Sequence, residues 1–338
     1  TCPEFVEMMH SISKEIEIIP AHAWTPYFGI FGSMSGFDSL KDAFQDKVKE
    51  IHAIETGLSS DPPMNWRLKE LDNINLVSFS DSHSFWPWRL GREATVFEFT
   101  KIKESSDLSN LTYSNIISAI RTGDGLWGTV EVDPNYGKYH FDGHRDCGIS
   151  YHPSETKKNN GFCPVCKKPL TIGVMNRVEQ LADKDRPEGF KLKNAKEFKS
   201  LIPLSELISF VLHKSISTKP VFEKHYKLIK HFGNEYNILL NVSEEELVKI
   251  TNKQLAELII KNRNAELKFI AGYDGVYGKI LMDRKEYSED ETNIEDKPSK
   301  KLKEEKNQKG KPTEKLTKQK QDEKHKEQKH IQKGLMDF

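Results

Sequence analysis

Apolar positions in the first part of the chain come in short runs cut by breakers, whereas further along they fall into helical spacing. Phe5, Val6, Met8, Met9 and Ile12 predict an amphipathic helix over 3–12. Ile16 to Ile19, bounded by Pro20, predicts a short buried strand that delivers Ala21-His22-Ala23-Trp24 to its end. The next stretch, FGIFGSMSGFDS, is too rich in glycine and serine for regular structure and reads as a loop over a site. Leu40 to Lys49 has a helical pattern, and Ile51 to Ile54 reads as a strand ending in Glu55-Thr56-Gly57. After Asp61-Pro62-Pro63 a helix is predicted over 65–71. Leu76, Val77 and Phe79 then form a strand that empties into Asp81-Ser82-His83.

In a strand, residues i and i+2 share a face, so Asp81 and His83 can aim a carboxylate and an imidazole at one point. Such a pair suits a divalent metal. Taken alone, Asp-x-His is an ordinary polar strand end. Here three successive strands, alternating with helices, end in metal-competent residues: His22, Glu55, then Asp81 with His83. Functional residues at consecutive strand ends predict an α/β fold of the β/α-barrel kind. Trp24, Trp86, Trp88, Arg89 and Arg92 lie close by in sequence. Aromatic faces and guanidinium groups beside such a site can stack a base and hold a phosphate backbone.

A hairpin is expected over 128–139, turning at Asp133-Pro134-Asn135, and the segment after it is dense in ligands. His144-x-x-Cys147 and Cys163-x-x-Cys166 are two close pairs with fifteen residues between Cys147 and Cys163. That spacing predicts a four-coordinate structural zinc site, with His140 and His152 as rivals for the nitrogen ligand. Lys157, Lys158, Lys167 and Lys168 flank the pairs and can grip phosphates without reading sequence.

Helical patterns follow at 174–181 and at 204–212 behind Pro203. Val221, His225, Leu228, Ile229 and Phe232 share one face ahead of Gly233. Ser243 with Glu246, and Thr251 with Gln254, read as two capping boxes. GYDGVYG, residues 272–278, lacks the lysine of a nucleotide loop and predicts tight turns.

Composition narrows the classes. Of 338 residues, 51 are Lys or Arg and 51 are Asp or Glu, so charge must be read locally. No apolar run is long enough to span a membrane, and no signal peptide is evident, so the expectation is an intracellular, cytoplasmic and nucleoid-associated protein with no membrane partner. Three of the four cysteines cluster between 147 and 166, which favours a metal site over a disulfide framework. From about 283 on, Lys, Glu and Gln dominate, predicting a disordered tether. At its tip Gln332, Leu335 and Phe338 fall at one-turn spacing.

Several stretches resemble a known family. PAHAWTPYFGIFGSMSGFDS, ETGLSSDPPMNWRL and SDSHSFWPWRLGRE are similar to the later half of the PHP (polymerase and histidinol phosphatase) domain of endonuclease Q. LIPLSEL and GYDGVYGKI resemble the segment behind that family's zinc module, so the likeness runs from Thr1 to about Leu281. It implies a distorted β/α barrel holding a divalent-metal cluster (Zn, Mg or Mn), with His22, Asp81 and His83 as ligands and Glu55 beside them. In the zinc module the family usually has Cys-x-x-Cys as its first pair, so His144 stands where a cysteine is usual. The family's opening His-x-His has no counterpart here, and the chain enters a helical pattern straight from Thr1, so a preceding N-terminal part is expected. Gln332, Leu335 and Phe338 resemble the Q-x-x-L-x-x-F peptide that docks on sliding clamps (PCNA), with one aromatic where that pattern has two.

The expected organisation is barrel 1–127, zinc module 128–172, helical domain 173–282, tether 283–331 and clamp-type peptide 332–338. The implied activity is hydrolysis of the DNA phosphodiester 5′ to deaminated bases (uracil, hypoxanthine, xanthine) or abasic sites. Two rival readings remain: a phosphoesterase for a small phosphorylated metabolite, and a non-catalytic DNA-binding protein.

Overall fold

The computed structural model describes residues 1–34, 36–99 and 108–281, and these form a mixed α/β structure. Helix α1 (Cys2–Ile12) begins in a reciprocal capping box between Thr1 and Glu4 and buries Val6. The 40–49 pattern divides in two. Helix α2 (Leu40–Phe44) stops where Gln45 takes φ 53°, and a 3-10 segment continues over Gln45–Glu50. Strand β1 (Ala53–Glu55) is buried along its length and pairs in parallel with β2 (Asn75–Val77), Glu55 opposite Val77. Between them, Asp61 caps α3 (Pro62–Asn65). The helix expected over 65–71 therefore starts earlier, because two prolines suit a first turn, and only a 3-10 turn follows at Lys69–Leu71.

Residues 16–19 do not form the expected strand. The chain there runs extended towards β1 and bonds to it on leaving the segment: Glu55 N–H donates to the Pro20 carbonyl, and Ala23 N–H to the Glu55 carbonyl. The β-branched run marks extended backbone correctly, but it lacks a continuous ladder.

Strand β3 (Ala94–Phe97), helix α4 (Tyr113–Thr122) and strand β4 (Leu126–Glu131) come next. The hairpin expected over 128–139 is absent. β4 is instead the middle strand of a three-stranded sheet, antiparallel to β3 and parallel to a later strand at Glu197–Ser200. Val130, Val132, Thr129 and Glu131 are all buried, so both faces of the strand are covered. Asp133 ends it by accepting the Asn135 N–H, and Pro134–Tyr136 is a 3-10 turn.

Strands β5 (Asp142–His144) and β6 (Ile149–Tyr151) make an antiparallel pair joined through Gly148 at φ 65°. Helices α5 (Pro153–Lys158) and α6 (Val174–Leu181) follow, then β7 (Glu197–Ser200). Five helices come next: α7 (Leu204–Leu212), α8 (Lys219–Phe232), α9 (Glu235–Leu240), α10 (Glu244–Ile250) and α11 (Lys253–Arg263). The α8 face expected from spacing is the packed one, with Val221, His225 and Leu228 buried. Ser243 and Glu246 form their capping box, but α11 is capped by Asn252, which accepts the Leu255 N–H. Thr251 sits one residue too early, and its hydroxyl is left without a partner among the described residues. Strands β8 (Lys268–Ile270) and β9 (Lys279–Leu281) pair around the glycine-rich turn, where Tyr273 and Val276 exchange backbone bonds and Gly275 takes φ 84°.

Two large apolar cores position the site. One joins Val130 of β4 and Val132 just past it to Leu204, Leu207, Leu228 and Leu255 of the helices. At roughly 1.5–3 kcal/mol for each fully buried side chain, this helix-on-strand packing sets the β4 edge firmly. The other gathers Trp24, Phe31, Leu40, Phe44 and Ile54 with Val174 and Val178 of α6. The cores therefore run across the boundaries expected at 127 and 172.

Candidate active-site cavity and metal centre

β1 and β2 end side by side, and the residues just past their ends define one region. His22 lies in the turn after the 16–20 segment, with φ 32°, and its N–H donates to Glu55 Oε2. Gly57 (φ 61°) packs against it, and a Cβ there would come within 2.9 Å of His22 Cα and Cβ, so the close approach requires glycine. Asp81 is also left-handed, at φ 42°. A non-glycine residue held at positive φ is strained, and such strain collects where side chains are re-aimed for function.

The Asp81 loop is held by Arg92, whose Nε donates to the Ser80 carbonyl (2.8 Å) and whose Nη2 donates to the Asp81 carbonyl (3.3 Å). His83 Nδ1 lies 2.9 Å from the Asp81 carbonyl. A proton on Nδ1 donated to that carbonyl leaves the Nε2 lone pair available to a ligand. Burial raises the Glu55 carboxyl above its ordinary range, the His22 N–H pulls it back, and Asp81 raises it further. Desolvation lowers the Arg92 guanidinium, though not enough to discharge it.

His22, Asp81, His83, Trp88, Arg89 and Arg92 line one cavity of about 670 Å³. His22 Nδ1 is buried and has no hydrogen-bond partner among the described residues. An orphaned ring nitrogen in a cavity wall, near a carboxylate and a second imidazole, is a donor set that fits a divalent metal. His83 Nδ1 and Asp81 Oδ1 are 3.9 Å apart, but the three side chains do not gather their ligand atoms into one compact group; the His83 side chain is 85% exposed and that of Asp81 44%.

The aromatic residues divide. Trp24 is completely buried, stacked on Phe31, with its indole N–H donated to Asn65. It cannot stack a base, which corrects the expectation that it contacts DNA; the turn that follows the extended 16–20 segment packs it into the core. Trp86 and Trp88 are stacked with centroids 5.0 Å apart, and Phe85 extends the stack over Trp86. Trp88 faces the cavity and is nearly buried, whereas Trp86 is 43% exposed and Phe85 78%.

Sequence reasoning missed the opposite wall. Tyr136, Lys138, Tyr139, Glu206 and Tyr277 also line the cavity. Tyr136 donates its hydroxyl to Glu206 (3.0 Å), and Lys138 Nζ sits 4.6 Å above the Tyr277 ring. These residues come from three separate segments and match no motif. The one signal was a pair of tyrosines within a glycine-rich turn.

The second ligand group is compact. His144 at the end of β5, Cys147, Cys163 and Cys166 place their ligand atoms within 4.8 Å of one another, the one convergence of three or more His, Cys, Asp or Glu ligands among the described residues. Cys166 Sγ and His144 Nδ1 are 3.7 Å apart. Tetrahedral bonds of about 2.0–2.3 Å place neighbouring ligands roughly this far from each other. The two rival histidines lie outside this group. His152 caps α5 by accepting the Ser154 N–H. His140 is buried, and burial pushes its imidazole down to about 4, so it is neutral. Lys157, Lys158, Lys167 and Lys168 are all exposed around this group.

The chain has recognisable relatives. Residues 203–266 match the family model described as the MJ0043 C-terminal domain. The uncharacterized protein MJ0043 of Methanocaldococcus jannaschii is 34% identical over 265 residues, covering 77% of this chain and 31% of its own length. The uncharacterized protein YqxK of Bacillus subtilis is 29% identical over 270 residues, covering 78% and 60%. Among solved structures, the lesion-specific endonuclease PfuEndoQ of Pyrococcus furiosus superimposes with TM-score 0.72 at 32% identity, over 84% of this chain and 66% of that one. An endonuclease Q complex with a 27-mer duplex carrying an abasic lesion at the active site gives TM-score 0.72 at 31% identity, over 84% and 67%.

The chain belongs to the endonuclease Q family. It spans under a third of the MJ0043 protein, 60% of YqxK and about two thirds of the solved endonuclease Q chains. Within this endonuclease Q relative, the ligand pairs read from sequence sit in one cavity and one compact cluster. Gln332, Leu335 and Phe338 lie outside the described residues. Among the described residues, no helix is long and apolar enough to cross a membrane.

Proposed function

We propose that this protein is a metal-dependent DNA repair endonuclease that hydrolyses the phosphodiester 5′ to deaminated bases or abasic sites. The observation that carries the reading is the single cavity shared by His22, Asp81 and His83 with Arg89, Arg92 and Trp88. A donor set for divalent metal, two guanidinium groups and an aromatic face are the parts a phosphodiesterase acting on an extruded nucleotide needs. Kinship with endonuclease Q, one member of which was solved on a duplex with an abasic lesion, supports the substrate class.

In this reading His22, Asp81 and His83 hold the metal ions of a PHP-type barrel, whether Zn, Mg or Mn. Bound there, such ions supply a nucleophilic water near neutral pH and neutralise charge on the phosphodiester. The chain's own residues do the rest. Glu55 fixes the His22 backbone through its N–H. The Asp81 carbonyl orients the His83 ring, and Arg92 holds the loop that carries both. Arg89 and Arg92 bind phosphate oxygens, and Trp88 with Trp86 offers a stacking face. His144, Cys147, Cys163 and Cys166 hold a structural zinc, around which the four lysines hold backbone phosphates. The zinc module, the helical domain beyond it and a clamp-binding peptide at 332–338 complete a DNA-handling protein.

The test is nicking of a labelled duplex with one deoxyuridine, deoxyinosine or abasic site, with Mg²⁺ or Mn²⁺, by the natural protein and its Asp81→Asn variant. Lesion-dependent cleavage should fall at least about 100-fold in the variant, as expected for loss of a charged ligand or its orientation. Equal cleavage by the variant sinks the site assignment, and cleavage independent of the lesion sinks the substrate class.

A further inference from the structure

Beneath the cavity lies a buried polar cluster that the proposed chemistry does not use. Glu131 ends β4, Glu93 precedes β3, and both carboxylates are buried. Thr56 Oγ1 is 3.0 and 2.9 Å from the two Glu131 oxygens. Ser78 Oγ is 3.0 Å from Glu131 Oε2 and 3.1 Å from Glu93 Oε2. Val132 N–H donates to the other Glu93 oxygen at 3.1 Å. Thr56 directly follows Glu55, and Ser78 stands three residues before Asp81. The cluster therefore ties the β1–β2 pair to the β3–β4–β7 sheet at the strand ends that carry the candidate site.

The hydrogens do not suffice for two anions. Ser78 has one hydroxyl hydrogen and two carboxylate oxygens to serve, and that of Thr56 has both Glu131 oxygens within reach. Thr129, on the same face of β4 as Glu131, makes no well-aligned hydrogen bond among the described residues, though its hydroxyl lies close enough to favour the Glu131 carboxylate. Among the described residues neither carboxylate has an ion pair: Arg92, the nearest cation in sequence, donates to the Ser80 and Asp81 carbonyls. Two like charges desolvated side by side cannot both ionise at ordinary cost. A single added proton resolves the count, because a carboxyl O–H can donate to Ser78 Oγ while Ser78 donates to the other carboxylate.

We propose that Glu93 and Glu131 share one proton through Ser78, and that this protonated pair is a positioning device for the strand ends bearing Glu55 and Asp81. Its catalytic consequence rests on the endonuclease reading above; the proton itself does not. The neighbours agree in direction. Burial and then the Glu131 charge push Glu93 well up, while burial pushes Glu131 up against the Thr129, Thr56 and Ser78 hydroxyls. Asp61 adds to the Glu131 shift and Arg92 opposes that of Glu93. Another titratable group facing the pair, Tyr236 of α9, is itself raised, first by burial and then by Glu235 and the two glutamates. The pair titrates as a unit, so its two steps belong to neither residue alone.

The sign of the linkage is definite. A carboxyl whose folded value is raised contributes stability that is fully present below its unfolded value and is lost as pH rises through the folded value. Wild-type chain, Glu131→Gln and Glu131→Leu should be compared by thermal unfolding midpoint from about pH 5 to 9. Glutamine mimics the protonated acid, so its curve should be flatter than wild type towards high pH. Leucine should be less stable than glutamine throughout. Parallel curves for wild type and Glu131→Gln, or a glutamine variant as unstable as leucine at low pH, would overturn the proposal. In the nicking assay, Glu131→Gln should move the alkaline limb of the kcat profile to higher pH and retain turnover that leucine loses. An unmoved limb with active enzyme would overturn the positioning role. If wild type does not nick at all, the proposed function fails, while the unfolding curves still decide whether the proton is shared.

Discussion

The molecule holds two groups of metal-competent side chains, and they are built in opposite ways. In the zinc-type cluster, His144 and Cys147 come from one tight turn and Cys163 and Cys166 from another, and their ligand atoms already lie within 4.8 Å of one another. In the cavity, His22, Asp81 and His83 come from segments almost sixty residues apart and share a wall without converging. The cluster is locally encoded: one short turn fixes each pair, and reciprocal backbone bonds between Gly143 and Thr171 join the two segments. The cavity depends on the register of β1 on β2, on Gly57 against His22, and on Arg92 gripping the Asp81 loop. A structural site has to be closed, whereas a site that does chemistry has to keep room for a substrate.

The comparison can be broken first at the cluster. Replacing Cys163 by Ser, or stripping metal with a strong chelator, should unfold the 142–170 segment, because metal affinity in such modules is folding free energy, about 10–16 kcal/mol in zinc-finger peptides. One zinc per chain by elemental analysis, lost in the variant together with amide-exchange protection over that segment, is the expected result. A metal-free segment that keeps its protection would mean that packing alone maintains it. Chelation of the cavity, by contrast, should leave the unfolding midpoint nearly unchanged, since its side chains are held by protein contacts.

The two sites also differ in how much of them sequence reveals. The two close pairs of the cluster were legible, because a two-residue gap is a local property, whereas His140 and His152 stayed rivals to His144 until the fold set them outside the group. His83, Asp81 and His22 were legible as a set only because each follows a short apolar run. Their aim depends on positive φ at His22 and Asp81, which spacing does not disclose. The far wall, Tyr136, Glu206 and Tyr277, was not legible, since it is assembled by β4 entering the centre of a sheet rather than a hairpin. The difference has a physical cause: a strand buried on both faces and a hairpin arm are both short apolar runs, and the partner strands of β4 lie some thirty and seventy residues away. Trp24 fails for a similar reason, because indole burial is decided by Phe31 and Asn65, which pack against it only in the fold.

The tryptophans sharpen the contrast at intermediate magnitude. Trp24→Ala should cost roughly 3–5 kcal/mol in chemical denaturation, the usual cost of emptying an aromatic site in a core. Trp86→Ala should cost under about 1 kcal/mol of stability, because the side chain is 43% exposed. It should instead weaken binding of a lesion-bearing duplex by about 1–3 kcal/mol if it stacks a base. Denaturation and duplex titration on the same two variants separate these outcomes. A Trp86 variant with unchanged affinity would reduce the Phe85–Trp86–Trp88 stack to rim packing.

The smallest effect tests whether the two sites cooperate on one substrate. If Lys157, Lys158, Lys167 and Lys168 hold backbone phosphates, each replaced by Ala should weaken duplex binding equally for intact and lesion DNA. The slope of log affinity against log salt should fall by about 0.9 for each phosphate that is no longer neutralised. Lesion preference should not move, because phosphate contacts position a duplex without identifying a base. Asp81→Asn should do the reverse, leaving the salt slope alone. If a lysine variant changes lesion preference instead, the zinc-type module takes part in choosing the lesion, and the division into a closed anchoring site and an open reacting site no longer holds.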